Sequence, residues 1–238
     1  MRNCLLVLGL GALLAAGCGS TDTASEQVTT VTTVVTTAPS TTTPVSPAPM
    51  ALTVFKVDDG LLRPQVVHVP RTTAVAAAAL GALGLGNAGV TIADGTATVA
   101  LDDATRDQQA EIVYTLTQFS TVERVDVAGR SGLTRDDFRS YVPAILIETP
   151  ASGAQVPPTF HVSGTASVFE ATLVVQLVRA GKVIAKRTVT ASEGAPGRGT
   201  FDTTLQATPG DATVAAFAPS AADGSPQHEV DVAVTVTH

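Results

Sequence analysis

Thr172-Leu173-Val174-Val175-Gln176-Leu177-Val178-Arg179-Ala180-Gly181-Lys182-Val183-Ile184-Ala185-Lys186-Arg187-Thr188-Val189-Thr190 decides the reading of the C-terminal half of this chain. Aliphatic and β-branched residues dominate it, and Ala180-Gly181 is a turn signal. The spacing predicts two strands, Thr172 to Val178 and Val183 to Thr190. Leu173, Val175, Leu177 and Val183 are expected to face a core. Working outward, Ile145–Glu148, Phe160–Gly164, Gly199–Leu205, Ala212–Phe217 and Val230–Val236 read as further short strands separated by Gly, Pro and Asp. Seven strands with no helix signal after Tyr141-Val142-Pro143 predict an all-β sandwich over residues 144–238. The cysteine pair and core tryptophan of antibody domains are missing from it.

Upstream the pattern is mixed. Leu52–Val57 alternates like a strand, Asp58-Asp59-Gly60 turns, and Leu62–Val69 reads as a second strand. Thr72 is a candidate cap for a helix from Ala74 to about Leu83, stopped by Gly84-Leu85-Gly86. Val90–Ile92 and Ala97–Leu101 flank Asp94-Gly95, a hairpin signal. Ala104 to Phe119 looks helical, with Ile112, Val113, Leu116 and Phe119 on one face and Arg106, Gln108 and Gln109 away from it. Val122–Val127 closes the unit as a strand. Residues 50–130 are therefore read as a small mixed α/β domain and 131–143 as a connector. The fold class expected is α+β.

Residues 18–49 read differently. Between Thr21 and Pro49 stand 11 Thr, 3 Ser and 4 Pro, with only Asp22 and Glu26 charged. Such a tract cannot bury enough apolar surface to offset its ordering entropy, so a disordered stalk is expected. Its composition suits an O-glycosylated spacer and an unmodified one equally. Before it, Arg2, an apolar run from Leu5 to Ala16 and Ala15-Ala16-Gly17-Cys18 make residues 1–17 a signal peptide. That run is too short for the roughly 20 residues a spanning helix needs. The arrangement resembles a bacterial lipoprotein signal, although position 15 is Ala where leucine is commoner. The resemblance implies cleavage before Cys18, lipid on that residue, and a protein tethered at the extracytoplasmic face of the cell membrane. Plain secretion and a retained anchor are the competing readings. With Cys4 lost in the signal and Cys18 lipidated, no disulfide is expected.

Composition narrows the function. A formal charge of −7 without a basic run argues against nucleic acid as a partner, and 4% aromatic residues leave few stacking platforms. His68, His161, His228 and His238 show no metal-ligand spacing. No Gly-x-Ser-x-Gly or Ser-x-x-Lys motif occurs. Asp58-Asp59, Asp102-Asp103 and Asp136-Asp137 sit at turns or helix starts, where capping accounts for them. Gly84-Leu85-Gly86-Asn87-Ala88-Gly89 fits GxGxxG by letter, but it follows a helix and precedes a strand, the reverse of a dinucleotide site. No catalytic, cofactor or metal residue is assigned. Phe169 and Glu170 are the candidate partner contacts, with Gly194–Gly199 as a second loop of interest. Phe169 itself reads first as a core phenylalanine, with an exposed anchor as the alternative.

Two stretches carry a family resemblance. Val54-Phe55-Lys56-Val57-Asp58-Asp59-Gly60, Asp94–Val99 and Gln109–Phe119 leading into Val122-Glu123-Arg124-Val125 make residues 52–130 resemble the GerM-type sporulation and spore-germination domain. Thr149-Pro150, Val162–Ala166, Val168–Leu173, Gly194–Gly199 and Asp223-Gly224 make residues 145–236 resemble the immunoglobulin-like domain of bacterial spore germination. These resemblances imply a non-enzymatic binding or scaffolding module in the envelope, engaging a protein or a cell-wall polymer. An envelope hydrolase or small-ligand carrier, and a purely structural lipoprotein, are the alternatives.

Overall fold

Strand β1 (Met50–Asp58) and strand β2 (Leu61–Val69) open the computed structural model, which describes residues 48–238. They pair antiparallel from Met50↔Val69 to Asp58↔Leu61. Helix α1 (Val75–Ala82) follows. Its start has no side-chain cap; the Thr72 hydroxyl instead accepts from the Ala74 N–H at 3.0 Å, too early in the chain to cap. Its end is as the glycines foretell. Gly84 sits at φ +85°, its N–H donates to the Gly81 carbonyl, and the Leu85 N–H donates to Leu80. This doubly bonded left-handed stop satisfies carbonyls that the helix itself cannot reach.

Strands β3 (Gly89–Ala93) and β4 (Thr96–Ala100) form a hairpin about Asp94 and Gly95, both at positive φ. Helix α2 (Arg106–Leu116) then crosses over to β5 (Arg124–Val127), which lies parallel to β4. Thr105 and Gln108 form a reciprocal capping box at its start, which meets two of the helix's free N–H groups. Gln109, expected to face away, is buried and donates to the Ala104 carbonyl at 2.9 Å. One polar stripe of α2 also serves β1. Thr115 Oγ1 accepts from the Phe55 N–H, Glu111 Oε1 from the Val57 N–H, and Gln118 Nε2 donates to the Thr53 carbonyl. Two side chains of α2 and one from the turn after it thus complete the edge of β1 where no strand pairs with it.

The segment 131–143 is more than the connector expected. Strand β6 (Arg130–Leu133) adds a fourth strand to the sheet, in the order β3-β4-β5-β6. A 3-10 segment, Arg135–Tyr141, then buries Phe138. Leu133, Phe138 and Val142 join the same core as Phe55, Leu62, Leu80, Ile112 and Leu116.

The remaining strands build a sandwich. They are β7 (Ile145–Thr149), β8 (Ala154–Val156), β9 (Thr159–Ala166), β10 (Thr172–Arg179), β11 (Lys182–Thr190), β12 (Gly199–Gln206), β13 (Gly210–Pro219) and β14 (Pro226–Val236). One sheet runs β11-β10-β13-β14-β8 and the other β12-β9-β7. Leu173, Val175, Leu177, Val214, Val232 and Val234 meet Ile145, Ile147, Val162, Phe201 and Leu205 between them. Val183 does not take the core place expected of it and is 52% exposed. Leu177 pairs with Ala185 but Val178 pairs with Val183, so Ile184 is an extra residue in β11. That bulge shifts the alternation, so Val183 shares the face of its partner Val178 while Ala185 keeps the core-facing side of Leu177.

Strand β7 belongs to both halves. Ile145 and Ile147 face the sandwich core, while Leu146 between them is buried in the α/β core. Period-2 alternation thus gives one short strand to two cores. Backbone bonds join the same halves: the Val66 N–H donates to the Ser152 carbonyl at 2.8 Å, and the Ser152 N–H to Pro64 at 3.1 Å.

Candidate functional site

Phe169 begins a one-turn 3-10 segment between β9 and β10 and is 72% exposed, the most of any large apolar residue described. A core role is thereby excluded. Glu170 beside it is exposed at φ 54°, and Ala171 follows at φ 55°. Two successive non-glycine residues in the left-handed region cost on the order of 1 kcal/mol or more each. Their surroundings hold them. The Ala171 N–H donates to the Val168 carbonyl, and the Ala171 carbonyl accepts from Ala191 at 2.8 Å. The Ala195 N–H donates to Val168 at 2.9 Å, which brings the Gly194–Gly199 loop against the same corner. Two stretches singled out separately in the sequence are therefore one surface, with Phe169 directed to solvent.

Behind this surface lies a polar cleft between the two halves, with a cavity of about 560 Å³. Arg135 organises it. Its Nε donates to Thr117 Oγ1 at 2.9 Å and its Nη1 to Glu148 Oε2 at 2.8 Å, while its guanidinium stands 4.7 Å from the Tyr114 ring centroid. Burial raises the Tyr114 phenol above its ordinary range, with the neighbouring Arg135 opposing that rise. Arg198 donates to the Pro143 carbonyl at 2.7 Å and to Thr165 at 3.2 Å, and burial lowers its guanidinium from the usual value. The chemistry available here is ion pairing and hydrogen bonding. Two of the cleft's three acids are engaged, Glu148 with Arg135 and Asp136 with Arg139 at 3.0 Å, while Glu193 joins no ion pair among the described residues. Arg135 carries no sequence signal of its own, and although Tyr114 and Arg198 lie in stretches singled out above, nothing in the sequence joins these distant residues into one cleft.

The other candidates are dispersed. His68 and His228 are exposed, His161 lies 3.3 Å from Asp202 on an exposed strand face, and His238 ends the chain. Asp58 pairs with Arg63 at 3.2 Å. Asp137 Oδ2 accepts from the N–H and the hydroxyl of the N-cap residue Thr134, and those hydrogen bonds hold its carboxyl below the ordinary range. Among the described residues no group of three His, Cys, Asp or Glu could hold a metal. Cys18 and the stalk lie outside the described residues.

The two-sheet C-terminal half is a sandwich of the immunoglobulin-like class. Residues 144–225 match the family of the immunoglobulin-like domain of bacterial spore germination. Comparison with curated proteins gives no match. Three solved structures show similarity. An engineered protein is 22% identical, with 50% of this chain and 23% of that one covered and a TM-score of 0.30. The fibronectin(III)-like modules of Clostridium thermocellum CbhA are 15% identical over 40% of this chain and 95% of theirs, with a TM-score of 0.25. The tandem GerMN domains of the Bacillus subtilis sporulation protein GerM are 16% identical over 66% of this chain and 60% of theirs, with a TM-score of 0.30. The chain spans less than a quarter of the first of these structures, and TM-scores this low define no shared fold.

Proposed function

We propose that this protein is a surface lipoprotein, held at the extracytoplasmic face of the membrane by lipid on Cys18, whose folded domains act as a non-catalytic binding and scaffolding module of the envelope. Its ligand is an envelope protein or a cell-wall polymer. The observation that carries this reading is Phe169: a large apolar side chain 72% exposed on a corner that backbone hydrogen bonds hold in an unfavourable geometry. Leaving a phenylalanine in water forgoes about 2 kcal/mol of burial, and aromatic anchors of this kind concentrate binding energy when a partner covers them. The match of residues 144–225 to a spore-germination domain and the resemblance of residues 52–130 to the GerM type support a place in sporulation, germination or a related envelope assembly. Lipid tethering would raise the effective concentration of the domains near membrane partners.

The test is crosslinking in cells followed by capture of the full-length protein, in wild type, Cys18→Ala and Phe169→Ala strains. A small, reproducible set of envelope components lost in both variants is expected. Equal recovery of abundant neighbours from all three strains would sink the proposal.

A further inference from the structure

The sandwich is open along one edge. Strand β8 pairs with β14 only at Val234–Val236, with one further bond from the Gly153 N–H to the Ala233 carbonyl at 2.9 Å. N-terminal to Ala233, no strand among the described residues pairs with that side of β14. On the β8 side of β14 the Ala233 carbonyl accepts from the Gly153 N–H, and the Thr237 N–H donates to the Val156 carbonyl. The two-residue period of the ladder therefore turns the N–H and C=O of Asp231 toward the same open side. Strand β7 offers no cover, because it pairs with β9 alone. Between β7, β14 and β2 lies a cavity of about 390 Å³. Its apolar wall includes Leu61, Pro64, Val142 and Leu146, and its rim carries Glu229 and Asp231. Both acids are exposed and neither takes part in an ion pair among the described residues, whereas Arg63 on the opposite rim is paired with Asp58.

We propose that this gap takes an extended peptide segment of a partner protein, added as a short strand along β14 at Asp231. The alternation of β14 sets the peptide's pattern. Val230 and Val232 face inward and the Asp231 side chain outward, so the residue opposite Asp231 points out and its two neighbours point into the apolar cavity. The fitting segment reads apolar–basic–apolar, with Lys or Arg opposite Asp231 and near Glu229. The chain's own Thr-rich tract does not fit, because residues 21–49 contain no Lys or Arg. This inference rests on the binding-module reading but uses residues apart from Phe169.

Random heptapeptides displayed on phage would be selected against the full-length protein in detergent, and the enriched peptides measured by fluorescence anisotropy. Enrichment of apolar–basic–apolar sequences without proline is expected. Their affinity should fall about tenfold or more for the double variant Glu229→Lys/Asp231→Lys, whose exposed positions spare the core, and stay unchanged for Phe169→Ala. N-methylation at those peptide residues whose N–H groups face β14 should also weaken binding, since it removes the strand's donors. No enrichment, enrichment of another pattern, or indifference to the double variant would overturn the proposal. Binding lost only with Phe169→Ala would overturn it while leaving the Phe169 surface standing. A concentration-dependent dimer abolished by the double variant would make a second copy the occupant and overturn it too.

Discussion

Phe169 and Glu111 show opposite ways in which one side chain can be costly. Phe169 stands in water, so truncating it removes almost no buried contact. Phe169→Ala should leave stability within about 0.5 kcal/mol of wild type in a chemical denaturation curve, while abolishing partner capture. Glu111 is half-buried under β1, and desolvation raises its carboxyl above the ordinary 4.5 despite the Val57 hydrogen bond and the charge of Lys56. Between the unfolded and the raised folded value, the folded protein keeps a proton that the unfolded chain has released. Stability therefore falls as pH rises through that window and stays lower above it. Glu111→Gln keeps an oxygen for the Val57 N–H and loses the charge. It should melt higher than wild type at pH 7, with the gap shrinking when both are acidified below 4.5. An unchanged gap across that range would remove the buried-charge explanation.

At the scale of elements, the closest backbone approach in the sandwich sits between β9 and β7. A Cβ built on Gly164 would collide with the Leu146 carbonyl and crowd the Glu148 N–H, both of them backbone groups that cannot swing aside. Strand β7 also jogs here, with a register irregularity between Ile147 and Thr149. Gly164→Ala should therefore destabilise by about 1–3 kcal/mol, measured by urea unfolding. A neutral result would mean that β7 can shift away from β9 without loss. Helix α2 works at the same scale. Glu111, Thr115 and Gln118 recur at helical spacing and meet Val57, Phe55 and Thr53, which recur at strand spacing. Two different periods coincide over about two turns, enough to finish the edge of β1.

For the whole molecule, the junction of the two halves decides cooperativity. Leu146 is buried in the α/β core from a sandwich strand, Arg135 pairs with Glu148 across the boundary, and Ser152 exchanges backbone bonds with β2. Wild-type protein should unfold in one calorimetric transition. Leu146→Ala should cost about 2–5 kcal/mol and split that transition in two, because it empties the shared contact while sparing each remaining core. A single transition merely shifted downward would show that the polar contacts alone couple the halves.

Much of this architecture is legible in the sequence. Residues such as Leu173, Val175 and Leu177 alternate, and Asp94-Gly95 and Gly84 mark turns by backbone chemistry that acts locally. The short strands β6 and β8 are not legible, because Arg130-Ser131-Gly132-Leu133 and Ala154-Gln155-Val156 are too brief and too polar to show a period. The bulge that exposes Val183 is hidden for a related reason: a shift of register depends on the pairing partner, which the strand's own residues do not name. The candidate site divides the same way. Phe169 and Glu170 are nameable as residues, but their exposure depends on the corner that Ala191 and Ala195 hold from a distant loop. By itself the sequence determined the local elements and the α/β-then-sandwich order, since each rests on neighbours in the chain. Only the tertiary structure decided the cleft around Arg135, the sharing of β7 between two cores and the open edge at Asp231. Each is made by groups brought together across long separations, where packing and unpaired backbone groups set the outcome.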